Sequence, residues 1–131
     1  MADQTLKLKL KEYKKAVLSL EEVLRMRKSA LIRDSAIKRF EFSYELAWKA
    51  SKEFLRQAHG LEISSPRDCF KELRRQGILN EKEAETALLM IIDRNLAVHT
   101  YNQKFANELY ESIKKKYFVW LNNLAQKLYD K

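Results

Sequence analysis

One proline, two glycines and one cysteine in 131 residues leave this chain with little that breaks, bends or staples a backbone. Proline and glycine punctuate turns, so their scarcity argues against a turn-rich β fold, and no segment alternates convincingly between apolar and polar residues. The lone Cys69 excludes an intrachain disulfide and fits a reducing cytoplasm. There are two histidines, His59 and His99, and no compact acid cluster stands at ligand spacing from His99, so neither a metal nor a cofactor is expected. No apolar run approaches the roughly 18 residues that cross a membrane. The opening residues, Met1-Ala2-Asp3-Gln4-Thr5, lack the basic-then-apolar order of a secretion signal, so a cytoplasmic protein without a membrane partner is expected.

What the chain does have is apolar content, at 46%, and positive charge, at +8. The length is that of one ordinary domain, and without a linker, repeat or low-complexity tract residues 1–131 are expected to form one. The charge is uneven, with 14 Lys/Arg against 8 Asp/Glu in residues 1–60 and 12 against 10 in the rest. Arg25, Arg27, Lys28 and Arg33 cluster where the first two helical patterns meet, and Lys114, Lys115 and Lys116 form a second block. Such surfaces attract polyanions, which makes both clusters candidate RNA or nucleotide contacts. Charge by itself is equally what keeps a small helical domain soluble.

The spacing of apolar residues is helical throughout. Leu6, Leu10, Tyr13, Val17, Leu20 and Leu24 recur at alternating steps of four and three, predicting a first helix that packs lengthwise. A second is expected to begin near Asp34, as its cap, and to run through Phe40, Tyr44, Trp48 and Phe54 to Gly60. Ser65-Pro66-Arg67-Asp68 reads as the start of a short third helix closed by Gly77. Asn80 and Glu83 have the spacing of a capping box for a fourth, with Ala84, Ala87, Leu88, Ile91 and Ile92 facing inward. Asn102 caps a long last helix from Phe105 to Leu128. The fold class is all-α, an up-and-down bundle of four longer helices and one short one. Trp48 and Trp120 fall on apolar stripes and read as core or interface anchors.

Function is sought where the fourth helix stops. Asp93-Arg94-Asn95-Leu96-Ala97-Val98-His99-Thr100-Tyr101 sets a cation, an amide, an imidazole and a phenol within nine residues. On a continuous helix, Arg94 and His99 would be about 140° apart. A break near His99 is therefore expected, letting the imidazole swing toward Arg94. Histidine titrates near neutral pH, so it can take a proton from a ribose 2′-hydroxyl or give one to a leaving 5′-oxygen, while arginine binds the phosphate. One histidine needs a partner to do both, and a symmetric dimer would supply it. The same pair could equally anchor a helix end, and His59, in the last turn before Gly60, is read that way.

Arg94-Asn95-Leu96-Ala97-Val98-His99-Thr100-Tyr101 resembles the signature of HEPN-domain proteins, specifically the HepT-like nucleotidyltransferase substrate-binding group. The stretch Arg39-Phe40-Glu41-Phe42-Ser43-Tyr44-Glu45-Leu46-Ala47-Trp48-Lys49 resembles that group's second helix, and Ser65-Pro66-Arg67-Asp68 follows in the same order. The resemblance implies a HEPN-like bundle, usually a homodimer, encoded beside a minimal nucleotidyltransferase. In the toxins of this group, arginine and histidine carry out metal-independent RNA cleavage at the dimer cleft. Carried over, Arg94 would stabilise the phosphate, His99 would be general acid or base, and Asn95 would orient one of them or the RNA. Tyr101 would accept AMP from the partner, silencing the toxin by setting an anion beside Arg94. The same resemblance leaves open a noncatalytic nucleotide- or substrate-binding subunit of a minimal nucleotidyltransferase. The residues also fit a dimeric adaptor in which Arg94 and His99 only hold an interface.

Overall fold

With few breakers inside them, the apolar stripes run on as helices in the computed structural model, which describes residues 4–99 and 102–131. Helix α1 (Thr5–Leu24) turns Leu10, Tyr13, Val17, Leu20 and Val23 inward. Leu6 and Leu24, the two ends of the expected seam, only reach the margin of the core. Tyr13 is wholly buried, and its hydroxyl is satisfied by donating to the Leu121 carbonyl.

Helix α2 (Ala30–His59) starts earlier than its sequence suggests. Its cap is Ser29, not Asp34. Ser29 has the extended backbone a cap requires, and its hydroxyl accepts from the Ile32 amide at 3.1 Å. Asp34 lies one turn inside the helix and pairs with Arg33 at 2.9 Å. At the other end Gly60 takes a φ of 66°, a left-handed conformation that suits glycine, and its N–H closes onto Arg56.

The remaining boundaries follow the local signals. Helix α3 (Pro66–Arg75) is capped by Ser65, which accepts from the Asp68 amide, and the chain leaves it through Gly77 at φ 80°. Helix α4 (Glu81–His99) opens with the reciprocal capping box: the Glu83 amide donates to Asn80 at 2.8 Å and the Asn80 amide to Glu83 at 2.9 Å. Asn102 caps α5 (Gln103–Ser112) through the Phe105 amide.

The last helix holds a feature its periodicity did not announce. A π-helical turn (Ile113–Tyr117) separates α5 from α6 (Phe118–Tyr129), while the backbone stays right-handed across both junctions. The three segments form one long rod, giving the expected four longer helices and one short one. Central helix α2 packs on α1, α3, α5 and α6, whereas α4 leans on α3 and the π turn. Phe40 stacks on Tyr117 at 5.5 Å and Phe70 meets Trp120 edge-on at 5.3 Å, tying α2 and α3 to the rod. Trp120 is a core anchor whose indole donates to the Glu83 carbonyl, and Trp48 packs at the core's edge. No helix among the described residues is long and apolar enough to cross a membrane.

Helix α4 corrects one expectation. Its buried residues are Ala87 and Met90, while Ile92, expected inside, is 55% exposed. Leu88-Leu89-Met90-Ile91-Ile92 is apolar at five successive positions and so covers every direction around the axis, leaving the period unable to name the inner face.

Candidate functional site

The C-terminal half of α4 carries the chemistry, and its regular geometry sends that chemistry in two directions. α4 stays helical through His99, so the break expected between Arg94 and His99 is absent. Nothing in Asn95-Leu96-Ala97-Val98 breaks a helix, and a β-branched residue beyond His99 does not unwind the turn before it. Five helical steps place the two side chains about 140° apart.

Arg94 turns toward α2. Its Nη2 lies 3.4 Å from Glu45, its Nη1 donates to Asn95 at 3.3 Å, and its guanidinium carbon stands 5.6 Å over the ring of Tyr44. The side chain remains 29% exposed, so solvent or a ligand can reach it, while Nε is buried without a hydrogen-bond partner among the described residues. Glu45 is itself held, accepting from the Trp48 indole at 3.2 Å and lying 3.5 Å from Lys49. Burial pushes the Tyr44 phenol up to about 12, with Arg94 opposing and Glu45 adding to the rise, so it serves as an uncharged ring beneath the cation.

His99 turns away from α2, onto solvent. Leu89, Ile92, Leu96 and His99 follow one another at steps of three, four and three, within a sector of about 80°. Leu89 is 48%, Ile92 55% and Leu96 45% exposed, so the imidazole ends an uncovered apolar stripe. Asn95 is exposed between the two directions. Tyr101 and Thr100 lie outside the described residues.

The basic clusters lie elsewhere. Arg25, Arg27 and Lys28 are exposed in the turn between α1 and α2. The Lys28 ammonium stands 5.1 Å over Tyr110, one turn before Lys114, so the two clusters adjoin. Lys114, Lys115 and Lys116 are exposed on the π turn, with Lys115 3.8 Å from Glu111. Arg33 leaves this surface: its side chain is 12% exposed and reaches Asp34 and Asn107.

Two contacts beside the site, that of Arg94 with Tyr44 and Glu45 and that of Tyr117 with Asp93, escaped the sequence reading. Glu45 and Tyr44 stood inside the Arg39–Lys49 stretch, but no local signal could set the register of α2 against α4. In the other, Asp93 accepts from the Tyr117 hydroxyl at 2.5 Å. Burial, then the hydrogen bond and charge of Asp93, hold the Tyr117 phenol well above its ordinary range, fixing it as a donor. The π turn brings this donor to the residue preceding Arg94, consistent with the tendency of such turns to accompany functional sites.

Together these groups set an anchored guanidinium on one side of α4 and, on another, an exposed imidazole at the end of an apolar stripe. Comparison with known proteins then places the chain. No functionally curated protein matches it. A solved structure from Thermus thermophilus is 36% identical, with a TM-score of 0.83, covering 88% of this chain and 98% of that one. A mutant MntA-HpeT toxin–antitoxin structure and a tri-AMPylated Shewanella oneidensis HEPN toxin in complex with MNT antitoxin are each 16% identical with a TM-score of 0.80. They cover 98% and 99% of this chain respectively, and 100% of each of those chains. At that identity the likeness is one of fold, a HEPN-type bundle. The family described as nucleotidyltransferase substrate binding protein like matches residues 8–130, and the chain belongs to that family.

Proposed function

We propose that the protein is a HepT-like toxin, a metal-independent endoribonuclease that acts as a homodimer and is silenced by a minimal nucleotidyltransferase. The observation that carries this reading is the divergence of Arg94 and His99 on one unbroken helix, with His99 ending the uncovered stripe of Leu89, Ile92 and Leu96. Pairing two such stripes buries the apolar side chains and brings two imidazoles into one cleft, one to accept a proton and one to donate. The ribose 2′-oxygen attacks the adjacent phosphorus and passes its proton to one His99. The 5′-oxygen leaves with a proton from the other, giving a 2′,3′-cyclic phosphate and a 5′-hydroxyl. Arg94 takes the phosphate charge, which exchanges with Glu45 across the 3.4 Å contact. Asn95 steadies the guanidinium. Arg25, Arg27, Lys28 and Lys114 to Lys116 hold the RNA backbone beyond the cleft.

Silencing falls to Tyr101, whose phenolic oxygen takes AMP from ATP as pyrophosphate leaves. The resulting phosphodiester anion competes with RNA for Arg94. Tyr13, Tyr44, Tyr110 and Tyr117 are buried, which leaves Tyr129 as the exposed alternative among the described tyrosines. It sits at the end of α6, under the Lys14 ammonium.

The test is incubation of unmodified protein with labelled RNA in excess EDTA. Wild type should produce cyclic-phosphate ends, and His99→Ala and Arg94→Ala should produce none while keeping their helicity. Intact RNA from protein shown by mass spectrometry to be unmodified at Tyr101 would reject the ribonuclease. It would favour a second reading, a noncatalytic substrate-binding subunit of the nucleotidyltransferase, which the family's description supports. Binding to that enzyme would then be the activity to measure.

A further inference from the structure

We infer that the cleft between the start of α2, the end of α4 and the start of α5 is a nucleobase subsite, and that it favours bases carrying an exocyclic amine. Its link to cleavage rests on the ribonuclease reading. Base binding itself does not.

The cleft has a volume of about 460 Å³, within the range of small-ligand sites, with Ile37, Ala97 and Ala106 as its floor and Arg33, Glu41 and Asn102 at its rim. Its position follows from helical register. Glu41 lies four residues before Glu45 on α2 and Ala97 three residues after Arg94 on α4. On both helices the cleft is thus one turn, about 5.4 Å, from the contact that holds the guanidinium. A base attached to a phosphate on Arg94 reaches that far.

The electrostatics argue for a base over a second phosphate. In a chain of net charge +8, this cleft is balanced, Arg33 and Lys38 standing against Asp34 and Glu41. Arg33 is already tethered, to Asp34 at 2.9 Å and to Asn107 at 3.3 Å, so it offers a fixed planar face more than a free charge. Glu41 is the open group. Its side chain is 20% exposed, its nearest cation is Lys38 at 3.9 Å, and it accepts no hydrogen bond among the described residues. A carboxylate with free lone pairs beside an apolar floor selects N–H donors. Adenine, cytosine and guanine each present an amino group, guanine with a ring N–H beside it; uracil has no amino group, and its N3–H lies between two carbonyl oxygens that a carboxylate repels.

The full-length wild-type protein should be titrated with AMP, CMP, GMP, UMP and ribose 5-phosphate while the amide NMR signals of Ile37, Ala97 and Ala106 are followed. The three amine-bearing nucleotides should shift all three signals, GMP most tightly, with UMP about tenfold weaker or more and ribose 5-phosphate leaving the floor unmoved. Glu41→Gln should raise the Kd for GMP about tenfold and erase its advantage over UMP. Ala106→Leu, which fills the floor and leaves every charge in place, should block all four. Equal shifts from the four nucleotides, or shifts at the floor from ribose 5-phosphate, would overturn the subsite. In parallel, the ends cut from random-sequence RNA should be poor in uridine at one position beside the cut, and Glu41→Gln should relax this. Failure of wild type to cut RNA rejects the ribonuclease alone, because the titration still decides the subsite. Cutting without base preference, with the floor signals still, rejects the subsite alone.

Discussion

Helices α2 and α4 are built from similar residues to opposite ends. α2 buries nine of its 30 residues and touches nearly every other helix, whereas α4 buries two of 19 and leaves Leu89, Ile92, Leu96 and Val98 about half exposed. Apolar side chains in α2 stabilise the monomer. The exposed ones in α4 contribute little to it, yet Leu89, Ile92 and Leu96 lie in order along one stripe that ends at His99. An exposed apolar stripe of this kind is explained by what covers it. The candidate site accordingly lies on the helix with the fewest buried residues for its length, while Tyr44 and Glu45 beside it come from the helix with the most buried residues.

The sharpest way to break this contrast is to damage each helix in its own currency. Phe40, wholly buried in α2 and stacked on Tyr117, should cost about 3–5 kcal/mol on conversion to alanine, read as a loss of unfolding free energy in urea. Ile92→Asp on α4 should leave the unfolding free energy of the isolated monomer within about 0.5 kcal/mol of wild type, as for other solvent-facing changes. Its effect should appear in sedimentation, as a shift from dimer to monomer. A dimer that survives Ile92→Asp would remove the assigned role of the stripe.

The same contrast explains what could be read in advance. Most features that depend on neighbours in sequence follow it: Ser65 and Asn102 cap their helices, Asn80 and Glu83 close their box, and Gly60 and Gly77 take positive φ. The sequence reading misjudged the start of α2 because Ser29 and Asp34 are both competent caps and only the packed turn chooses between them. It misjudged Ile92 because five consecutive apolar residues carry no phase. Helix α4 does end at His99, ahead of the Asn102 cap, but no break falls between Arg94 and His99, because nothing in Asn95-Leu96-Ala97-Val98 interrupts a helix. Glu45 against Arg94 and Tyr117 against Asp93 span 49 and 24 residues, and such pairings depend on inter-helix register that one sequence does not display.

Between the firm and the loose helix stands the π turn, and Tyr117 offers a smaller but more pointed test. Its hydroxyl ties the rod to Asp93 on α4 while its ring stays in the core against Phe40. Tyr117→Phe keeps the ring and removes only the tie, leaving a half-buried carboxylate without its donor, so a loss of about 1–2 kcal/mol is expected. Hydrogen exchange should then speed up around Asp93 and Arg94 and stay unchanged across the middle of α2. Uniform acceleration would show that Tyr117 serves the core alone and that α4 has no separate hold at this point.

The smallest expected effect concerns the other end of α4, where Glu83 joins the capping box to Lys127 of α6 through contacts of 2.9 and 2.7 Å. Burial by itself would raise the Glu83 pKa. The Asn80 amide, together with the hydrogen bond and charge of Lys127, outweighs it and holds the carboxyl below its ordinary 4.5. A folded-state pKa below the unfolded one means that the stabilisation is complete above the unfolded value and is lost as pH falls through the folded one. Acidification from neutral to pH 4.5 should therefore leave this contact intact, and further acidification should release it. The partners are partly exposed, so the loss should stay under about 1 kcal/mol. It should appear first as faster exchange in the opening turns of α4, with α2 still protected. In Lys127→Met much of this acid-dependent step should vanish, because the carboxylate has then lost the ammonium that favoured its charged form. If α2 and α4 instead lose protection together in both proteins, α4 is not the separately weak element its burial implies.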